Sequence, residues 1–532
     1  MNSDLIITLV SFILFTGGVA FFTWYSLKKT NLNSSDGYFL GGRSLSGIVI
    51  AGSMLLTNIS SEHLIGMNGN SYVNGFIVIA WEVTSSLALA IAALFFIPKY
   101  LKMGLTTIPQ FLEKRFDGVL RTFVAIVLIT SFIITLLPIV LYSGALGIES
   151  LFGVSDVLGV EKSQGLWITI LFIGILGSIY AVFGGLKAVA FSDTINGIGL
   201  LLGGLLIPFL ALYAIGDSNI LDGLTKVYEY APEKFNVIGA SDSVLPFEVL
   251  FTGLIINQLY FWGMNQTIIQ RALGAKNLKE AQKGLLITGL FKILIPLVIV
   301  LPGVICYYYF SDTFYDQQDS VYPELVKKVL PVWLIGFFAA VIMGAVLSTF
   351  NSVLNSAATL FSVDVYKKHI VKNVSDKKLV SIGKLTSAIL AVFAILAAPL
   401  MANTPDGLYQ LLQELNGVFF IPIASVLLAG FFMKKISAIA AKTALIFGLS
   451  FYIFLTWGYT SHGIHFVHLW GIEFVLNVGI MYLVSYFYPR KNLYEISDVG
   501  AVDLTSWKYA KPMAIGLSLV TVLIYILLGN NA

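Results

Sequence analysis

Runs of apolar residues about 20 long, the length that crosses a bilayer as one α-helix, recur throughout this chain and leave it few possible folds. They lie near 5–27, 47–72, 75–98, 119–147, 164–186, 192–216, 246–270, 284–309, 331–361, 380–400, 408–433, 436–458, 464–488 and 509–528. Lipid offers the backbone no hydrogen-bond partners, so each run is expected to be helical. The expectation is an all-α polytopic membrane protein with about fourteen transmembrane helices. Composition agrees, since 11% of the 532 residues are charged, against about 25% in soluble domains. A net charge of +3 gives no basis for nucleic-acid binding, and a lone cysteine, Cys306, allows no internal disulfide. The first run is too long for a signal-peptide core and lacks a small-residue cleavage site, so it reads as a retained helix.

Lysine and arginine collect in the odd-numbered connections: Lys28, Lys29 and Arg43; Lys99, Lys102, Lys114 and Arg115; Lys187; Arg271, Lys276 and Lys279; Lys367, Lys368, Lys372, Lys377 and Lys378; Lys434 and Lys435; Arg490, Lys491 and Lys508. Positive charge marks cytoplasmic loops, which predicts both termini outside a bacterial cytoplasmic membrane. No connection is large enough for an appended soluble domain, and no obligate protein partner is evident.

Two predicted spans are interrupted. Asn58-Ile-Ser-Ser-Glu-His-Leu-Ile-Gly-Met-Asn-Gly-Asn-Ser71 is polar and dotted with glycine, and Asn257-Gln-Leu-Tyr-Phe-Trp-Gly-Met-Asn-Gln266 is similar. Irregular backbone at membrane depth survives only where it is buried or lines a cavity, and transporters build solute and ion sites from such breaks. The second break comes five spans after the first, and an odd offset reverses its orientation. This suggests two inverted repeats of five helices, 47–217 and 246–433, preceded by a first helix and loop, 1–46, and followed by C-terminal helices, 434–532.

Inside these spans the ionisable residues stand out. Glu82, beside Trp81, Thr84 and Ser85, and Lys292, in Gly289-Leu-Phe-Lys-Ile-Leu-Ile, both fall deep in apolar helices. Burying such groups costs about 2.5–3.5 kcal/mol even on insertion scales, so they are usually functional; the alternatives are a structural ion pair or a snorkelling lysine. Opposite charges that offset each other, with Asn58, His63 and Gln413 nearby, suit a neutral polyhydroxyl solute. Arg43, Arg115, Arg121, Arg271 and Arg490 all fall at cytoplasmic helix ends, which leaves no bidentate clamp for a mid-membrane carboxylate. Ser348-Thr-Phe-Asn-Ser-Val-Leu-Asn-Ser356 strings hydroxyls and amides along an apolar span. With an unwound partner helix, these neutral oxygens favour an alkali-ion site. His462, His465 and His468 have ligand-like spacing, but their place at an outer loop reads as a wet interface. No nucleotide fingerprint and no catalytic constellation is present, so the chain is not expected to be an enzyme.

These residues resemble the solute:sodium symporter family, in particular its sodium/galactose and sodium/glucose branch, over nearly the whole chain. Gly37-Tyr-Phe-Leu-Gly-Gly-Arg43 resembles the family's first cytoplasmic loop, and Asn58 to Met67 its broken helix. Gly184-Gly185, Val189 and Ser192-Asp193 are similar to its GG…V..TD..Q signature, with Ser192 and Asn196 as mild departures. Asn265-Gln266, Gln270-Arg271 and Ala275 through Gly284 resemble the link into span 8. Leu354-Asn-Ser356 with Asp364 and Tyr366 resembles the end of the ion-binding helix.

The resemblance implies a leucine-transporter-type fold and sodium-coupled import of a galactose- or glucose-like sugar. It implies a sugar pocket of Asn58, His63, Glu82, Ser85, Gln258, Lys292 and Gln413, with Trp81 beside it, and sodium held by the carbonyls of Leu56, Ile59 and Ala345 and the hydroxyls of Ser348 and Thr349. Asp193 would lie on the ion's path to the cytoplasm, Met67 and Tyr409 would form the outer gate, and Phe261 the inner one. His63, Gln258 and Phe261 depart from the bacterial galactose carrier's pattern, where glutamine, asparagine and a stacking tyrosine stand. Asn351 and Ser352, near Asp193, would complete any second sodium site. The rival readings are a sodium symporter for a polyol, amino acid or vitamin, and a membrane-embedded transferase acting on a lipid-linked sugar. The second needs catalytic carboxylates or a metal site that the chain does not display.

Overall fold

A computed structural model describes residues 3–27, 32–402, 407–490 and 494–529; Lys28, Lys29 and Lys491, counted above among the cytoplasmic charges, lie outside them. The described residues are nearly all helical, with isolated bridges at Leu45–Ala275 and Asn277–Asp503 and no strand. Among them, 11 helices are long and apolar enough to cross a membrane, or 12 if the pair Leu278–Leu294 and Pro296–Phe310, bent by 44°, counts as one span. The expected fourteen is therefore not reached by this measure. The two predicted runs that fall short are 47–72 and 246–270, the two read as interrupted.

In the first of these, a helix runs Gly47–Asn58 and stops. Ile59 is extended (φ −90, ψ 104), and after Ser60 and Ser61 the chain resumes as a π-helix, Glu62–Met67, then an α-helix, Asn68–Asn74. Polar side chains around the break bond to neighbouring helices: the Ser60 hydroxyl donates to Ala345 O at 3.2 Å, and that of Ser61 to Val140 O at 3.1 Å. This is how a broken span is tolerated in lipid. In the second run the helix Gly253–Gly263 ends at Met264, and Asn265 (ψ 128) caps Gln266–Leu273 by accepting from Thr267 N at 2.9 Å. The break thus falls at the far end of the predicted window, and Asn257 and Gln258 are helical.

Peripheral and central segments differ in burial. The first and last apolar helices are 17% buried over their most apolar windows, whereas Glu62–Lys102 and Leu408–Phe432 are 78% buried. The polar breaks therefore sit in the middle of the bundle, away from lipid. Between the predicted fifth and sixth spans the chain bends at Gly185, whose φ of 60° and ψ of −177° suit only glycine. A Cβ there would also come within 2.8 Å of Tyr38 O. Gly185→Ala is expected to destabilise the protein by about 1–3 kcal/mol, read as a lower melting temperature in detergent.

Candidate functional site

The broken segment, the helices carrying Glu82 and Gln258, and the Leu278–Leu294 and Leu408–Phe432 helices converge on one cavity. Asn58, His63, Trp81, Glu82, Ser85, Gln258, Phe261, Lys292, Tyr409 and Gln413 all line it. Its volume of about 50 Å³ is room for a few water molecules, so a larger solute requires these side chains to part. Met67 is buried in the π-helix but does not line the cavity.

Lys292 is fully buried and forms an ion pair with Glu82 Oε2; its Nζ also donates to Asn58 Oδ1 at 2.7 Å and sits 5.3 Å from the Trp262 ring centre. His63 Nε2 lies 3.6 Å from the other Glu82 oxygen, and its Nδ1 lies 3.3 Å from Glu62 Oε1. Ser85 Oγ donates to Gln258 Oε1 at 3.0 Å, while Gln258 Nε2 donates to Trp81 O at 2.7 Å. The rings of His63 and Trp81 both meet Tyr409 edge-on, at 5.3 and 6.2 Å. Donors and acceptors thus alternate around a small space whose lysine charge is matched by a carboxylate, with aromatic surface on the Tyr409 side. Such a wall can exchange its own hydrogen bonds for those of hydroxyl groups.

Sequence reasoning missed Asn416, Leu412, Phe420 and Glu62 as lining residues. A signal existed for the first three: Tyr409, Leu412, Gln413, Asn416 and Phe420 recur at helical spacing along one face. Asn257, at the start of the second polar stretch, lines the cavity together with Gln258.

Next to the cavity the break meets the Val332–Thr359 helix. Thr349 Oγ1 donates to Leu56 O at 3.1 Å and Thr57 O at 3.2 Å, and Thr57 itself lines the cavity. Ala345 O receives the Ser60 hydroxyl, Ile59 supplies the extended residue, and Ser348 Oγ is buried without a hydrogen-bond partner. The carbonyls of Leu56 and Ala345 and the hydroxyl of Thr349 therefore meet where a broken helix crosses an intact one, with Ile59 in the break and Ser348 on the intact helix. Uncharged oxygens of this kind fit a hard monovalent cation. A second small cavity runs past Ser348, Asn351, Ser192 and Asn196. Asp193 is fully buried close by and accepts from Ser53 Oγ at 2.6 Å. Arg271 reaches inward to the hydroxyls of Ser53 and Ser352. Its positive charge at Ser352 opposes a second sodium there.

The remaining arginines are occupied near the helix ends. Arg43 donates to Leu273 O, Arg115 to Gly430 O and Arg490 to Arg115 O, and Arg121 pairs with Glu113 and Asp364. None lines the Glu82–Lys292 cavity. The three outer histidines point to separate partners, Leu455 O, Val244 O and Thr252 Oγ1, as expected of a loop interface.

The connection carrying Asp319 is tied to the Tyr409 helix, where Asp319 Oδ2 accepts the N–H of Leu408 at 3.0 Å. Burial pushes the Asp319 carboxyl up to about 6, against the pull of that N–H. The fold favours the neutral acid, so this group's stabilisation is complete below its ordinary value of 3.8 and is lost as pH rises through about 6. Melting temperature is expected to fall across that window, and Asp319→Asn to flatten the dependence.

A helical membrane protein with a broken span, a polar cavity at the break and an oxygen-lined junction beside it is a secondary transporter, not an enzyme. The sequence profile of the sodium:solute symporter family matches residues 38–448, and the chain belongs to that family. It is 42% identical to the uncharacterized symporter YidK of Escherichia coli K12, over 99% of this chain and 91% of that one. It is 34% identical to a sodium/glucose cotransporter of Vibrio parahaemolyticus, over 80% of each. It is 30% identical to the human sodium/myo-inositol cotransporter, over 82% of this chain and 64% of that one. Among solved structures it is similar to a Na+-coupled sialic acid symporter, with a TM-score of 0.76 at 20% identity over 91% of this chain and 99% of that one. That likeness shows the leucine-transporter-type fold.

Proposed function

We propose that this multi-pass protein resides in a bacterial cytoplasmic membrane with both termini outside, and uses sodium to import a neutral monosaccharide resembling galactose or glucose. The observation that carries the reading is the cavity in which Lys292 bonds to both Glu82 and Asn58. A charge-balanced wall of donors and acceptors favours an uncharged solute rich in hydroxyls, and no arginine lines it. Two relatives are named for glucose and myo-inositol, both neutral polyhydroxyl rings. Asn58, His63, Trp81, Glu82, Ser85, Gln258, Lys292 and Gln413 would take the sugar. Tyr409 would close over it from outside together with Met67, and Phe261 from within.

Sodium would bind the carbonyls of Leu56, Ile59 and Ala345 and the hydroxyls of Ser348 and Thr349, holding the break against the Val332–Thr359 helix. Thr57 touches both the junction and the cavity, so an ion there favours the geometry that receives sugar. Coupling requires that both ligands stabilise the same conformation. Release past Asp193 would loosen the junction as the repeats 47–217 and 246–433 rock. One positive charge falling through 100 mV supplies about 2.3 kcal/mol, and a tenfold gradient about 1.4 kcal/mol. Together they sustain roughly five-hundredfold accumulation of an uncharged solute per ion.

The experiment is uptake of radiolabelled hexoses, inositol and proline into proteoliposomes with and without a sodium gradient. Sodium-dependent hexose uptake is the expected result. Uptake of inositol alone would move the substrate to a polyol, and robust proline uptake without hexose would end the sugar assignment.

A further inference from the structure

The Leu408–Phe432, Ala438–Ile453 and Phe466–Phe487 helices enclose a second polar cluster, separate from the sugar cavity and the Ser348 junction. Glu473 lies within a helix long and apolar enough to cross a membrane, is 0% exposed, and has no ion-pair partner among the described residues. Its Oε1 accepts from Asn477 Nδ2 at 3.3 Å, and its Oε2 has no hydrogen-bond partner. Asn477 is equally buried; its Nδ2 also reaches Ser425 Oγ at 3.4 Å, and its Oδ1 has no partner. Ser425 gives its own proton to Ile421 O at 2.8 Å, which leaves one lone pair free beyond the one that faces Asn477. Room for these groups depends on glycine: a Cβ at Gly448 would meet Asn477 Nδ2 and Glu473 Oε1, each at 2.6 Å.

A buried carboxylate with no counter-charge is costly in the membrane interior. The nearest titratable neighbours offer no cation. Tyr452 lies close to Glu473 and Glu414, Lys442 on the same helix as Tyr452 pairs with Asp117 at 2.7 Å, and Tyr260 is the one titratable residue of the adjoining Gly253–Gly263 helix. What the oxygens of Glu473, Asn477 and Ser425 lack is one positive charge. We propose that they form a second monovalent-cation site, for sodium or a proton. A divalent ion would leave excess charge in lipid, whereas a monovalent one neutralises Glu473. The cluster adjoins the sugar cavity, since Trp470, on the Glu473 helix, meets the lining residue Trp81 edge-on at 6.1 Å.

The test uses the full-length protein with Ser348→Ala and Thr349→Ala, which removes the junction hydroxyls, as the parent. Thermal stability is measured against sodium, with choline as control, between about pH 5.5 and pH 8.5, alongside binding of radioactive sodium. For a sodium site, the parent keeps a sodium-dependent shift that Glu473→Gln removes, and its apparent sodium Kd rises about tenfold per pH unit on acidification as protons compete. For a proton site, stability changes with pH irrespective of sodium, and Glu473→Gln abolishes that change. Should Glu473→Gln fail to fold, Ser425→Ala, which removes a ligand without changing charge, is expected to weaken the same response. Variants matching the parent in both sodium and pH response would overturn the site. Because the readout is the difference between variant and parent, it stands whatever solute is carried.

Discussion

Replacing Lys292 with alanine is expected to abolish sodium-driven uptake and to lower stability by about 3–5 kcal/mol, because it strands the buried Glu82 carboxylate without its partner. Glu82 and Lys292 are 1% and 0% exposed, so little solvent screening softens the loss. Glu82→Gln should be similarly harmful by leaving the ammonium unpaired. The informative variant is the double one. Glu82→Gln with Lys292→Met removes both charges and should recover most of the lost stability, since a buried pair is often worth no more than an apolar replacement. Transport should not return, because the charged groups proposed to exchange hydrogen bonds with sugar hydroxyls are gone. Melting temperatures and proteoliposome uptake for the wild type, Glu82→Gln, Lys292→Met and the double variant close the cycle that checks the claim. A double variant that transports normally would assign the pair a structural role alone.

The next largest effect is expected at the junction of the broken helix. Thr349→Ala deletes the hydroxyl that bonds to Leu56 O and Thr57 O. Losing one oxygen ligand to a cation is worth about 1.5–3 kcal/mol, so half-maximal uptake should require about 10- to 100-fold more sodium. Thr349→Ser keeps the hydroxyl and should stay close to wild type. Adding Ser348→Ala should remove junction-dependent sodium activation altogether, while affinity for sugar at saturating sodium changes less. An unchanged sodium dependence in Thr349→Ala would remove this residue from the ion site.

These predictions join residues that sequence alone could nominate but not pair. Glu82 and Lys292 are 210 positions apart, and Leu56 and Thr349 are 293 apart. Glu82, Lys292 and Thr349 were visible because a charge or a row of hydroxyls inside an apolar run violates the local pattern, whereas Leu56 came only from the family resemblance. Asn416 was overlooked because one amide in an interior helix breaks that pattern weakly. Glu473 was overlooked because its run, 464–488, was judged by its outer histidines, and an isolated acid shows its lack of a partner only when its neighbours are known. Met67, placed at a gate by family position, is buried in the π-helix beside the cavity and does not line it.

By itself the sequence determined the helical class and the two runs in which a helix is interrupted. Lipid thickness and the need to satisfy the backbone act locally, on windows of about 20 residues. Only the tertiary structure decided which broken ends meet, that Lys292 faces Glu82 and Asn58, and that the cavity closes to about 50 Å³. Those facts depend on the rotation of each helix about its axis, and packing against distant helices sets that rotation.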